Sequence, residues 1–162
     1  MKRRIILMRH AKSSHGDITL SDHQRPLDKR GWRQSKEIAH RLVDEGWSPE
    51  LVVSSDALRT KETWQSMESA FDPTPAVRWD ENLYLAGPQA ICESLFEVDR
   101  DIQSVLLLGH NPGWEQALGY FSGERHSMST SNAAVLEAEA DTWDELLHSN
   151  TFNMVVLLRP TT

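Results

Sequence analysis

Residues 104–109, Ser-Val-Leu-Leu-Leu-Gly, constrain the fold more than any other stretch of the chain. The run Val105–Leu108 leaves no polar side for water, so the strand it forms is covered on both faces. A strand of that kind belongs to a sheet with helices packed against each side. The rest of the chain agrees, because apolar runs alternate with helical patterns. A first strand is predicted over Arg4–Met8, and a polar loop follows from about Ala11 to Leu27. The segment from Asp28 to Gly46 reads as a helix with Trp32, Ile38, Ala39, Leu42 and Val43 on one stripe. Glu37 and Arg41 pair at i,i+4, and Gly46 stands at the C-terminal cap.

A short strand is predicted at 50–55. A helix capped by Ser55 or Asp56 follows it, with Trp64, Met67 and Phe71 facing inward. Ala76–Trp79 is a weaker strand, and residues 87–98 form a helix with Pro88 in its first turn and Ile91, Leu95 and Val98 spaced for burial. A short helix follows Pro112. Residues 131–140 alternate as an edge or half-exposed strand does, and residues 153–160 close the set. The expected architecture is a single α/β domain over residues 1–162. It is a three-layer α/β/α fold around a mostly parallel sheet.

The formal charge of −7 argues against general binding to nucleic acid or to an anionic membrane. No apolar run is long enough to span a bilayer. A lone cysteine, Cys92, leaves no disulfide framework and no CxxC site, and no HxH or HxxxH pattern suggests a metal. These features fit a cytoplasmic protein that works without a metal or other cofactor.

Ligands of parallel α/β sheets bind beyond the carboxyl ends of the strands. Three predicted strands end there in basic or imidazole groups. The first runs into Arg9-His10, the second leads through Ser54-Ser55-Asp56 to Arg59, and the 104–108 strand ends at Gly109-His110-Asn111 before Pro112-Gly113. An acidic chain that gathers such groups on one edge is built for a compact anion, and phosphate fits best. Arginine presents a planar fork to two oxygens, and helix N-termini add N–H donors. An imidazole can also attack a phosphoryl group directly. His10 is the candidate nucleophile, and Arg9, Arg59, His110 and Asn111 are candidate phosphate ligands.

The ordered set Leu-Met-Arg-His-Ala-Lys-Ser at 7–13, Ser-Ser-Asp-Ala-Leu-Arg-Thr at 54–60 and Leu-Leu-Leu-Gly-His-Asn-Pro-Gly at 106–113 resembles the motifs of the histidine phosphatase superfamily, also called phosphoglycerate mutase-like. The Arg-Pro-Leu-Asp-Lys-Arg-Gly stretch at 25–31 and the short chain look most like its SixA-type branch of phosphohistidine phosphatases. The resemblance implies that His10 becomes phosphorylated, that Arg9 and Arg59 hold phosphoryl oxygens, and that His110 stabilises the transferred group.

Larger members of that superfamily carry a glutamate after the third strand as proton donor. Here Leu85 falls at that place, and Glu81 is the candidate general acid, with Asp80 behind it. A site without a dedicated acid suits an N–P or acyl phosphate bond better than a sugar phosphate, because an alkoxide needs a proton to leave. The expected function is a metal-independent phosphatase working through phosphorylated His10 on phosphohistidine in a protein. The alternatives are a small-molecule phosphatase or a mutase-like enzyme and, outside catalysis, a module that binds phosphorylated ligands.

Overall fold

Side chains along the first strand, β1 (Lys2–Arg9), alternate between two apolar layers. Ile5 and Leu7 enter one cluster, while Ile6 and Met8 enter another. This follows from the period of two along a strand, and it requires helices on both faces. The computed structural model, which describes residues Met1–Thr162, supplies them. Helices α1 (Lys29–Asp44) and α2 (Leu58–Met67) cover one face through Ile38, Leu42, Trp64 and Met67. Helices α3 (Pro88–Phe96) and α4 (Gly113–Ser122) cover the other through Ile91, Leu95, Trp114 and Phe121.

The remaining strands are β2 (Leu51–Ser54), β3 (Ala76–Trp79), β4 (Ser104–Gly109), β5 (Ala133–Glu139) and β6 (Asn153–Leu158). Their order across one sheet is β3-β2-β4-β1-β5-β6. The four strands from β3 to β1 are parallel, and β5 is antiparallel to both of its neighbours. As the unbroken apolar run requires, β4 lies in the middle, and all six of its residues are buried. The register pairs Arg9 with Gly109 and Ser54 with Leu108. The ends of β1, β2 and β4 therefore open on the same edge. Because β5 runs the other way, its beginning arrives at that edge too, opposite Met8.

Three local expectations are corrected. The strand after residue 131 is not an edge strand. It lies between β1 and β6, and Ala133–Leu136 are wholly buried. The alternation in the sequence comes from Glu137 and Glu139, which pair with Lys2, Arg4 and the N-terminal amine, while Ala138 and Ala140 pack on the core. Trp32 and Val43 do not belong to the buried stripe of α1, being 37% and 36% exposed. Small residues take their place. A Cβ on Gly31 would stand 2.2 Å from the Lys12 carbonyl oxygen, and Ser35 meets Ser66 by a hydroxyl hydrogen bond between α1 and α2. The N-cap of α2 is Ala57, without a side-chain cap, because the hydroxyl of Ser55 is engaged elsewhere. The other landmarks stand as read: Asp28 caps α1 through Gly31 N–H, Pro88 opens α3, and Gly46 has φ of +77°.

Candidate active site

The end of β1 is held by backbone on three sides. His10 N–H donates to Gly109 O at 3.0 Å, and Arg9 N–H donates to Asn132 O at 3.0 Å. Ser131 N–H reaches the carbonyls of both Arg9 and His10, from a residue held at φ of +64°. The next amide, Ala11 N–H, donates to Thr63 Oγ1 at 2.9 Å, and that hydroxyl donates to the Arg59 carbonyl at 2.7 Å. One threonine thus joins the chain after His10 to the first turn of α2.

The His10 imidazole is 6% exposed and has a defined tautomer. Its Nδ1 lies 2.7 Å from Ala11 O, which can only accept, so Nδ1 carries the proton. Nε2 then keeps its lone pair and receives the Arg59 Nε–H at 3.3 Å. Burial, with Arg59, Arg9 and Arg25 nearby, pushes the His10 pKa down to about 3, against the hydrogen bond to Ala11. At neutral pH the group is an uncharged base with a free lone pair, the form a nucleophile needs.

His110 lies beside it, with ring centroids 5.3 Å apart, and is 1% exposed. Burial, the neighbouring His10 and Arg59 push its pKa to about 3 as well. Its Nε2 is 2.8 Å from Ser55 Oγ, which itself accepts from Ala57 N–H at 3.3 Å. The Ser55 hydroxyl has no other acceptor, so its proton goes to His110 Nε2. His110 then carries its own proton on Nδ1, and Nδ1 is buried without a partner. Arg9 Nε is a second buried donor without a partner, while Arg9 Nη1 is fixed on Met128 O at 2.9 Å. Unpaired buried donors are costly and rare in folded proteins.

The Arg59 side chain is 3% exposed and reaches three ways. Besides the contact with His10, Nη1 donates to the Asp22 carbonyl at 2.7 Å and Nη2 to Asp22 Oδ2 at 3.0 Å. The distal edge of the guanidinium is thereby pinned to the loop after β1. Arg25 reaches Asp22 Oδ1 from the same loop through Nε at 3.2 Å and Nη2 at 3.1 Å. Tyr84 closes the mouth. Its ring meets His110 edge-on at 5.3 Å and lies under the Arg59 guanidinium at 5.8 Å, and its hydroxyl bonds Asp22. His23, next to Asp22, pairs with Asp56 at 2.9 Å.

Arg9, His10, Arg59 and His110 thus meet at one strand edge. The Asn111 amide secures the turn into α4, donating one N–H to Met128 O at 2.8 Å and accepting from Glu115 N–H at 3.2 Å, which leaves its second N–H uncommitted. Glu81 is exposed in a 3-10 turn, Glu81–Leu83, and its carboxylate makes no hydrogen bond or ion pair. The turn that follows carries Tyr84 inward and Leu85 outward. Reading from sequence missed Asp22, Arg25, Ser55 and Tyr84 as members of the site. Tyr84 adjoins Leu85, the position where a carboxylic acid is expected, and a phenol there carries no signal of that kind.

Comparison with known proteins agrees with this geometry. The chain is 38% identical over 154 residues to an uncharacterised chloroplastic protein of Arabidopsis thaliana, covering 90% of this chain and 71% of that one. It is 34% identical over 105 residues to an uncharacterised protein of Mycobacterium tuberculosis, covering 65% of this chain and 63% of that protein. Among solved structures, one provisionally assigned as the phosphohistidine phosphatase SixA of Agrobacterium tumefaciens superposes with a TM-score of 0.81 at 28% identity, over 98% of both chains. A protein histidine phosphatase SixA complexed with tungstate superposes at 0.82 with 20% identity, over 99% of this chain and 97% of that one. The family description "Histidine phosphatase superfamily (branch 1)" matches residues 5–83, which include His10 and Arg59. With the strand-edge histidines and arginines in place, the chain belongs to the histidine phosphatase superfamily.

Proposed function

We propose that the protein is a phosphatase that transfers a phosphoryl group to His10 Nε2 and then to water, and that its substrate is phosphohistidine in a protein. The observation that carries this reading is the His10 ring. Its Nδ1 proton is committed to Ala11 O, its Nε2 lone pair faces Arg59, and its pKa lies well below neutrality.

In the first half-reaction the Nε2 lone pair forms the N–P bond while the bond to the leaving group breaks. Arg59 Nε–H, which points at His10 Nε2, turns to a phosphoryl oxygen. Arg9 Nε–H and His110 Nδ1–H supply two more donors. Charge on the transferred oxygens is thus met by donors that border His10, which is what phosphoryl transfer demands of a protein. In the second half-reaction water attacks phosphorus, the electron pair returns to Nε2, and the proton of water leaves with orthophosphate. Ser55 keeps the His110 proton on Nδ1 through both steps.

A phosphohistidine substrate is supported by the missing acid, since Leu85 stands where a proton donor is expected and Glu81 points to solvent. It is also supported by the overall similarity to proteins described as SixA. The test is incubation with phosphohistidine-labelled protein and with p-nitrophenyl phosphate, followed by denaturing isolation of the enzyme. Acid-labile, alkali-stable phosphate on wild type, absent from His10→Ala, is the expected result. Turnover by His10→Ala at the wild-type rate would sink the covalent mechanism. Stoichiometric binding of phosphoprotein without release of phosphate would make the protein a binding module.

A further inference from the structure

The mouth of the pocket holds a tyrosine and an ionised carboxylate in place of a proton donor. Leu85, at φ of +52°, turns the chain so that Tyr84 packs against His110, Arg59 and His23. The Tyr84 hydroxyl bonds Asp22 Oδ2, which also takes Arg59 Nη2 at 3.0 Å. Asp22 Oδ1 takes Arg25 Nε and Nη2 at 3.2 and 3.1 Å. These contacts occupy the acceptor positions of the carboxylate. A carboxylate held by two guanidinium groups and a hydroxyl is ionised, and an ionised carboxylate only accepts. The Tyr84 hydroxyl and Arg59 hold Asp22 far below the usual carboxylate range, and burial with Asp22 pushes Tyr84 up. The Tyr84 proton is therefore committed to Asp22. What Tyr84 offers to a bound substrate is the lone pairs of its oxygen.

We propose that Tyr84, oriented by Asp22, is the specificity-determining residue at the leaving-group end, where it accepts a hydrogen bond from an N–H on the departing group and so selects phosphorylated imidazoles over phosphate esters. The inference rests on the phosphohistidine reading above. Phosphohistidine bears its phosphoryl group on one ring nitrogen and can carry a proton on the other. As His10 Nε2 bonds to phosphorus, the P–N bond breaks with its electron pair passing to the departing nitrogen. The proton on the opposite nitrogen stays there, hydrogen-bonded to Tyr84 Oη, and the product leaves as neutral imidazole. No proton has to be supplied. An alkyl ester brings no such N–H and meets lone pairs where it needs a donor. When water replaces the imidazole, it can donate to the same oxygen, which turns a water lone pair toward phosphorus.

The test compares kcat/KM for phosphohistidine, p-nitrophenyl phosphate and phosphoserine on wild type, Tyr84→Phe and Asp22→Asn, with the inhibition constant of inorganic phosphate read alongside. Tyr84→Phe removes the acceptor together with the hydrogen bond to Asp22, and is expected to lower the preference for phosphohistidine over p-nitrophenyl phosphate by roughly tenfold or more. Asp22→Asn lets an amide N–H donate to Tyr84 Oη and frees the tyrosine proton for the pocket, so phosphoserine should gain on phosphohistidine. Equal losses on all three substrates in both variants, or an inhibition constant that moves in step with them, would overturn the inference and leave the His10 chemistry standing. A wild-type enzyme that cleaves p-nitrophenyl phosphate yet prefers phosphoserine to phosphohistidine would overturn the substrate reading and this inference together.

Discussion

Acid should weaken this protein through the same two rings on which the proposed mechanism turns. His10 and His110 each fall from an ordinary 6.5 to about 3 in the folded chain. Between those values the unfolded chain binds protons that the folded chain refuses. Stability is therefore full above about pH 6.5 and is lost as pH falls toward 3. From pH 7 to pH 5 each ring contributes a loss of about 1.9 kcal/mol, so the pair accounts for about 4 kcal/mol of a total that for most domains is about 5–15 kcal/mol. The figure is insensitive to the depth of the shift. A folded pKa of 4 in place of 3 changes it by about 0.1 kcal/mol, because at pH 5 the folded ring is neutral in either case. Urea unfolding at half-unit steps from pH 7.5 to 4.5, on wild type and on His10→Asn, measures the effect. The difference between the two curves cancels the carboxylates. It should fall along a slope that approaches about 1.4 kcal/mol per pH unit below pH 6. Parallel curves would show that His10 titrates alike in both states and would refute the neutral buried ring.

Three further outcomes follow from the same geometry. Arg59→Ala should lower kcat/KM for aryl phosphates by about 30- to 150-fold, equivalent to about 2–3 kcal/mol for a charge-assisted contact, measured by steady-state kinetics. Gly113→Ala places a Cβ 1.6 Å from the Ala86 carbonyl oxygen, in the turn that carries Tyr84. The expected cost is about 2–3 kcal/mol and a melting temperature lower by roughly 5–10 °C, read by calorimetry. Activity should survive EDTA, since the phosphoryl charge is met by Arg9, Arg59 and His110; loss on chelation with recovery on adding zinc or magnesium would count against the proposed mechanism.

The parts of this site that sequence makes legible share one property: they lie at the ends of strands that apolar periodicity can locate. Val105–Leu108 fixes the middle of the sheet, and from it the positions of His10, Arg59 and His110 follow. What stayed hidden depends on loops. Asp22 lies twelve residues beyond His10 in a segment with no periodic pattern, and it acquires a role only when Arg25, Arg59 and Tyr84 converge on it. Ser55 reads as a helix cap because that is the usual use of a serine before a helix, yet its hydroxyl serves His110. The alternation after residue 131 suggested an edge strand because Glu137 and Glu139 interrupt the apolar run, yet these two pair with Lys2, Arg4 and the N-terminal amine. Asn111 and Glu81 were reasonable by type and position. An amide tied into the turn before α4 and a carboxylate turned to solvent are facts of packing that spacing does not reveal.

Thr63 has a consequence for how the molecule breathes. Its hydroxyl accepts from Ala11 N–H and donates to the Arg59 carbonyl, so the segment after the nucleophile and the helix bearing its clamp share one buried link. Tyr84 reaches that unit through its side chain, and Asp22 through its carboxylate and its carbonyl on the Arg59 guanidinium. Amide protons should therefore exchange with solvent in two tiers. Those of His10, Ala11 and the body of α2 should wait for global opening, whereas those from Gly16 to Leu20, an exposed stretch, should exchange on local excursions. In the proposed mechanism, the protein can then loosen its hold on a departing group many times over while His10 and Arg59 keep their separation.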